Sequence, residues 1–214
     1  MSSPRLEPQY ADLDHQGKTA ELGLWVFIAT EVLFFGALLF AYWTLRAAYW
    51  DAFTLAARDS KIALGAINQA LLITSSLTMV LAINFAKEGR RQALVRALGA
   101  TALLGILFLG VKGWEYALDF ADHTVPVLDF VLKPGQTPPA EMFWFFYFVT
   151  TGLHAVHLTI GIALVLMMAL RAQRGRIIPA YTAPLEVVGL YWSFVDVVWF
   201  FLFAAIYPIG RAAS

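Results

Sequence analysis

The chain has 214 residues, of which 60% are hydrophobic and 14% charged, with a formal net charge of zero. Soluble domains run at about half apolar and a quarter charged, so this chain has too little polar surface to enclose itself in water, and its neutral balance gives no support to nucleic-acid binding. It has no cysteine, which excludes disulfides, thiolate metal sites, iron–sulfur clusters and cysteine nucleophiles.

In chain order, residues 1–20 are polar and mixed in charge, without the basic-then-apolar order of a cleaved signal, and are expected to form a tail near the membrane surface. A helix crossing a hydrocarbon core of about 30 Å needs roughly twenty mostly apolar residues. Five stretches qualify. The first runs over about 22–45 and is interrupted only by Glu31; the second covers about 62–86 without a charge. The third, short between Ala97 and Val111, is extended by KGWEY to about 95–117, because Lys112 and Glu115 lie one turn apart beside the amphipathic Trp114 and Tyr116. The segment DFADHTVPVLDFVLKPGQTPP then reads as an extramembrane loop. The fourth span, about 142–170, carries His154 and His157, and the fifth, about 187–210, carries Asp196.

Short cytoplasmic loops are rich in Lys and Arg. Lys87, Arg90, Arg91 and Arg96 follow the second span, and Arg171, Arg174 and Arg176 follow the fourth. The expected fold is therefore an all-α membrane protein, a bundle of five transmembrane helices in one domain, with the N-terminus cytoplasmic and the C-terminus, like the acidic loop holding Asp119, Asp122 and Asp129, outside.

Ionisable side chains within the spans are costly in lipid and are the natural candidates for function. Glu31 and Asp196 each lie about ten residues into helices running the same way, and His157 falls near the same depth, so a Glu31–Asp196–His157 cluster is geometrically allowed. Two readings stand for these groups: hydrogen bonds that join helices, or handling of protons and lipid. His154 and His157, one turn apart, can share a face, but two imidazoles make at most half a zinc site, and no metal is expected. Trp192 and Trp199 flank Asp196 on one face as packing surface or a lipid-facing belt, and Asn68 with Thr74, Ser75 and Ser76 reads as interhelical hydrogen bonding. No Ser-His-Asp pattern, GxGxxG or phosphate-binding GKS is present.

The fragments LGLWVFIATEVLFFGALLFAY, INQALLITSSLTM, KGWEY, FFYFVTTGLHAVHLTIG and LEVVGLYWSFVDVVWFFLFAAIY occur in one order over residues 18 to 210. Together they resemble subunit III of the heme-copper oxidases, in its short five-helix bacterial form. The resemblance implies an accessory subunit in a bacterial cell membrane, beside catalytic subunit I, subunit II and further respiratory subunits. It implies heme and copper in those partners and none here, and bound phospholipid. The family's buried glutamate maps to Glu31, the histidines of its GLHxxH motif to His154 and His157, and the aspartate of its FVDVVW motif to Asp196; Glu115 and Glu186 fall in matching fragments as interhelical or interface candidates. In the family the glutamate is linked with proton uptake and sustained turnover of the catalytic subunit. This chain departs from the seven-helix form by lacking the first two helices, which wall a lipid cleft there, and by having Ser193 where many relatives have histidine.

The reading is thus a modulatory subunit of an oxidase that reduces oxygen to water and translocates protons. TEVLFF and FVDVVWFFLF favour a cytochrome c donor modestly. Alternatives are a quinol oxidase subunit, an accessory protein of nitric oxide reductase, and a small transporter. The transporter reading is weakened by the absence of an inverted repeat and of paired Gly/Pro-broken spans.

Overall fold

The computed structural model describes residues 12–179 and 181–208. Its elements in order are α1 (Leu13–Ala48), α2 (Trp50–Arg58), α3 (Ile62–Lys87), α4 (Arg91–Ala121), the short strands β1 (Thr124–Val125) and β2 (Asp129–Phe130), α5 (Ala140–Gln173) and α6 (Ala183–Ile206). Among the described residues, α1, α3, α4, α5 and α6 are each long and apolar enough to cross a membrane, and long helices are what a chain must form where lipid offers its backbone no hydrogen bonds. The described prolines stay out of helix interiors: Pro138 and Pro139 precede α5, Pro184 sits in the first turn of α6 and Pro208 follows it.

Several boundaries differ from the sequence expectation. Helix α1 begins at Leu13, within the stretch read as a tail, whose residues 1–11 lie outside the described ones. Helix α6 ends at Ile206; the expected continuation to 210 falls partly outside the described residues. Helix α4 runs to Ala121, so Asp119 is a buried helical residue, 1% exposed, and not part of a loop. The remainder of that loop includes a two-stranded hairpin pairing Thr124 with Phe130 and Val125 with Asp129.

Helices α3 and α4 each bury one narrow stripe. On α3 it is Gly65, Asn68, Leu72, Ser75, Met79, Ala82 and Ala86; on α4 it is Leu94, Leu98, Thr101, Gly105, Phe108, Lys112, Glu115 and Asp119. Both alternate steps of three and four, the spacing of a helix packed along a single seam. Helix α1 is the least buried of the five long helices and α6 the most.

The helices end in recognisable ways. At the end of α3, Gly89 (φ 72°) lets Arg90 N donate to Phe85 O at 2.9 Å, and at the end of α5, Gly175 (φ 67°) lets Arg176 N donate to Arg171 O at 3.0 Å. These are glycine caps that need the left-handed conformation.

Backbone proximity divides the chain into two compact units. The first comprises residues up to Glu31, Leu72–Ile106 and His157–Asp196. Its core is Trp192, whose ring lies against two glycines. A methyl group at Gly105 would fall 2.9 Å from Trp192 Cη2 and 3.0 Å from Ile162 Cγ1, and one at Gly161 would fall 3.2 Å from Trp192 Cε3. The indole Nε1 donates to Ser75 Oγ at 3.0 Å, so one side chain joins α6 to α3, α4 and α5. Thr78 and Thr101 share a hydroxyl hydrogen bond of 2.7 Å, and Arg91 Nε donates to Ala172 O at 3.0 Å, bringing the two basic connections together.

The second unit comprises Val32–Leu71, Leu107–Val156 and residues from Val197 onward. Here Tyr42 OH donates to Ala205 O at 2.9 Å, and Phe108 meets Trp199 edge to face with ring centroids 4.8 Å apart.

The glycine slot around Trp192 makes a prediction. Gly105→Ala forces a methyl group onto a rigid indole and is expected to destabilise the protein by about 1–3 kcal/mol. Gly189→Ala comes close to Ile83 Cδ1, at 2.7 Å, the free end of a flexible side chain, with Ile83 Cγ1 and Met79 Cγ at an ordinary 3.8 Å, and should cost less. Denaturation midpoints of the two variants in detergent check the order; equal midpoints would remove the slot from the account.

Candidate functional site

Among the described residues, hydrogen-bonded carboxyl groups deep within the spans lie in three places. The first joins α1 to α5 in the first unit. Glu31 Oε2 lies 3.1 Å from His157 Nε2, with the two side chains 18% and 16% exposed. Tyr191 OH donates to the carbonyl oxygen of His157 at 3.0 Å, and the Tyr191 ring packs on Phe27 of α1 at 6.1 Å. A carboxyl and an imidazole in contact hold a proton in either of two ways. The protonated Nε2 donates to the carboxylate, or the carboxylic acid donates to a neutral Nε2. Residual exposure leaves the pair open to its surroundings.

The second place is also in the first unit, around Asp196. Its Oδ2 accepts from Ser76 Oγ at 2.7 Å, while Oδ1 has no partner among the described residues. Asp196 is therefore held by α3 and does not join Glu31 and His157 in the three-residue cluster that depth alone allowed. A serine one residue from the α3 stripe competes successfully because its hydroxyl donates to the carboxylate directly.

The third place is in the second unit and lies on the α4 stripe. Lys112 Nζ donates to Glu115 Oε2 at 3.0 Å, to Tyr147 OH at 3.0 Å and to Tyr207 OH at 2.9 Å. Tyr207 OH in turn donates to Glu115 Oε1 at 2.8 Å, and Tyr147 OH to Asp119 Oδ2 at 2.8 Å. The ammonium thus uses all three of its protons, and each tyrosine passes the bond on to a carboxylate. Lys112 is 2% exposed and Glu115 0%, so Glu115 is part of a buried ion pair that Tyr207 links to the chain beyond α6. Residues 112, 115 and 119 continue the 94–98–101–105–108 stripe. That spacing was the signal available in the sequence, but reading KGWEY as an interfacial end hid it.

The remaining expected residues separate. His154 does not share its setting with His157. It is 1% exposed in the second unit, with its ring centroid 5.1 Å from Trp199 and 5.5 Å from Phe108. Trp192 and Trp199 are both fully buried, which makes them packing residues and not a lipid-facing belt. Asn68 was expected to bond between helices. It is fully buried, yet neither its Oδ1 nor its Nδ2 has a partner among the described residues. Its place on the seam, between Gly65 and Leu72, sets its burial, and the interhelical bonds of α3 come from Ser75, Ser76 and Thr78 instead. Glu186 pairs with Lys87 at 3.0 Å and accepts from Thr182 Oγ1 at 3.0 Å. Beyond α4, Lys61 donates to Asp122 at 2.5 Å and holds that carboxyl below the usual carboxylate range. Among the described residues, no group of three or more His, Asp or Glu side chains is placed to hold a metal ion.

Comparison with known proteins gives a consistent result. The family model described as cytochrome c oxidase subunit III matches residues 14–211. A probable quinol oxidase subunit 3 of Staphylococcus aureus (strain USA300) is 31% identical over 201 residues, 94% of each chain. The protein of the same description from Staphylococcus haemolyticus (strain JCSC1435) is 31% identical over 202 residues, again 94% of each chain.

The lysine-centred network predicts asymmetric effects of mutation. Lys112→Met leaves two buried carboxyl groups without their cation and is expected to cost about 3–5 kcal/mol. Adding Glu115→Gln to it removes one of those charges, so the double variant should be more stable than Lys112→Met alone. Denaturation of the two variants and the parent protein in one detergent measures this. A double variant that is the less stable of the two would contradict the charge balance drawn above.

Proposed function

The chain belongs to the cytochrome c oxidase subunit III family, and on that premise we propose that it is the cofactor-free third subunit of a terminal oxidase that reduces oxygen to water and translocates protons. It lies in a bacterial cell membrane, with heme and copper carried by the catalytic subunit I and by subunit II. It stabilises subunit I, binds phospholipid and supports proton uptake. The observation that carries the proton reading is the Glu31–His157 contact of 3.1 Å. An acid and a base from two apolar spans meet there, partly open, with no redox group needed on this chain. Val32, Leu33 and Phe34 expose apolar surface beside the pair, which supports contact with lipid or a neighbouring subunit.

The electron donor belongs to the partner subunits. The names of the staphylococcal relatives favour quinol, and the family's own name carries cytochrome c. The second subunit that co-purifies with this chain, copper-binding or of the quinol type, decides between them.

Glu31 provides the test. Glu31→Gln keeps a hydrogen bond to His157 without the charge, and Glu31→Ala keeps neither. In the assembled oxidase both variants should preserve the heme spectra, and both should change the pH profile of sustained oxygen consumption. If Gln behaves as the parent at every pH and Ala merely loosens the subunit, Glu31 is a structural bond and the proton reading fails.

We further propose that the N-terminus is cytoplasmic. The Arg91–Ala172 hydrogen bond, which brings both arginine-rich connections together, supports this orientation. Because the chain has no cysteine of its own, single cysteines can be placed without background. Those at Arg91 and Arg174 should react only from the cytoplasmic side, and one at Asp129 only from outside. The opposite labelling pattern would reverse the orientation.

A further inference from the structure

The sealed network on α4 does not balance in charge. Lys112 is its cation, and Glu115 and Asp119 are its two carboxyl groups, 2%, 0% and 1% exposed. The neighbouring elements add hydroxyl groups to it. Tyr147 comes from α5, Tyr207 from the chain after α6, and Tyr116 of α4 shares its own hydroxyl with Thr151. From the hairpin, Thr124 Oγ1 donates to the Asp119 carbonyl oxygen at 2.8 Å. Lys61, just before α3, is the other cation whose field reaches Asp119, but its side chain is 32% exposed and donates to Asp122 instead.

Two carboxylates against one ammonium leave a net negative charge buried. Keeping a proton on a carboxyl group at pH 7 costs a factor of about a thousand in its equilibrium, which is less than an unpaired charge costs in apolar surroundings. The hydrogen bonds identify the carrier. Glu115 accepts from the ammonium at Oε2 and from Tyr207 at Oε1, so both of its oxygens face donors, as suits a carboxylate. Asp119 accepts from Tyr147 at Oδ2, and among the described residues no cation pairs with it. That leaves Oδ1 to carry a hydrogen.

We propose that this network is a proton-binding site, holding one proton on Asp119 next to the β1–β2 hairpin. Its ligand is the hydrogen ion itself, and the site makes closure of the second unit depend on pH. An unfolded Asp119, with the ordinary carboxylate value of about 4, has lost its proton by neutral pH, whereas the folded chain retains it. Unfolding therefore releases one proton, and this contribution to stability falls as pH rises through the neutral range. The site does not rest on the Glu31–His157 reading, since neither residue enters the network.

The test is infrared difference spectroscopy of the purified full chain in detergent at neutral pH, with denaturation in the same detergent over a series of pH values. Asp119→Asn is neutral and nearly isosteric. It should remove one carboxylic-acid carbonyl band from the parent spectrum and leave the carboxylate bands unchanged. The folding equilibrium of the parent should fall with rising pH more steeply than that of Asp119→Asn, by up to roughly tenfold per pH unit. Lys112→Met, with two carboxyl groups and no cation, should take up a second proton and gain an acid band. Glu115→Gln, with one carboxyl group for one ammonium, should lose the acid band as Asp119→Asn does. Loss of a carboxylate band in Asp119→Asn would show Asp119 to be ionised and overturn the proposal. An unchanged spectrum in Lys112→Met would mean that the lysine is already neutral and both carboxyl groups protonated, which overturns it too. If Asp119→Asn or Lys112→Met does not fold, Glu115→Gln decides, and an acid band that persists there overturns the site.

Discussion

An ammonium group shut away from water must have each of its three protons accepted by protein, and Lys112 meets that requirement with Glu115, Tyr147 and Tyr207. The constraint reaches well beyond one side chain. It fixes the rotation of α4, because the stripe of Leu94, Leu98, Gly105 and Phe108 must be buried on the same seam as the charges. It brings α5 to α4 through Tyr147, and the chain just past α6 through Tyr207. The Tyr207 ring closes this second unit against α3, where a methyl group at Gly65 would lie 2.8 Å from its Cε1. A buried charge fully satisfied in this way specifies a single arrangement of helices, because a shift of any one of them strands a proton or a lone pair.

The first unit is organised differently. Its central residue is an indole, and the polar bonds around it come from small hydroxyl side chains: Ser75 to Trp192, Ser76 to Asp196, and Thr78 with Thr101. Small residues let helices approach closely, and their hydroxyls join them where apolar attraction between helices is weak. The ionisable Glu31 and His157 sit at the edge of that packing with residual exposure, while Lys112, Glu115 and Asp119 are sealed. Groups that are sealed define structure. Groups left partly open keep contact with their surroundings, which is why the proposed function is placed on the Glu31–His157 pair.

How much of this was legible in the sequence follows from the range of each interaction. The five long helices could be read because length and hydropathy are local properties, and Glu31 with His157 stood out because ionisable residues are rare in apolar spans. Asp119 was misplaced because a carboxylate followed by Asp122 and His123 looks like the start of a polar loop, and its burial depends on Tyr147, 28 positions away. Asp196 was grouped with Glu31 by depth alone; depth says nothing about azimuth, and Ser76 reached it from α3. The contrast between His154 and His157 was similarly hidden. Three residues leave two side chains only about 60° apart in azimuth but about 4.5 Å apart in depth, and at those two depths different neighbours are met: Phe108 and Trp199 by one ring, Glu31 by the other.

The arrangement on α4 also bears on how the chain enters the bilayer. Helices are made in order, so α4 leaves the ribosome before Tyr147 or Tyr207 exists to accept a proton from Lys112. A lone lysine within an apolar span opposes insertion, by about 2.5–3.5 kcal/mol where it falls at the helix centre. Lys112 arrives with Glu115 three residues later on the same helix, so the segment carries a counter-charge for the lysine from the start. Glu115 is thus the one acceptor that needs no later helix, and Tyr147 and Tyr207 join it once α5 and α6 have followed. Order of synthesis, and not only the finished packing, is a reason for the cation and its first partner to share one helix.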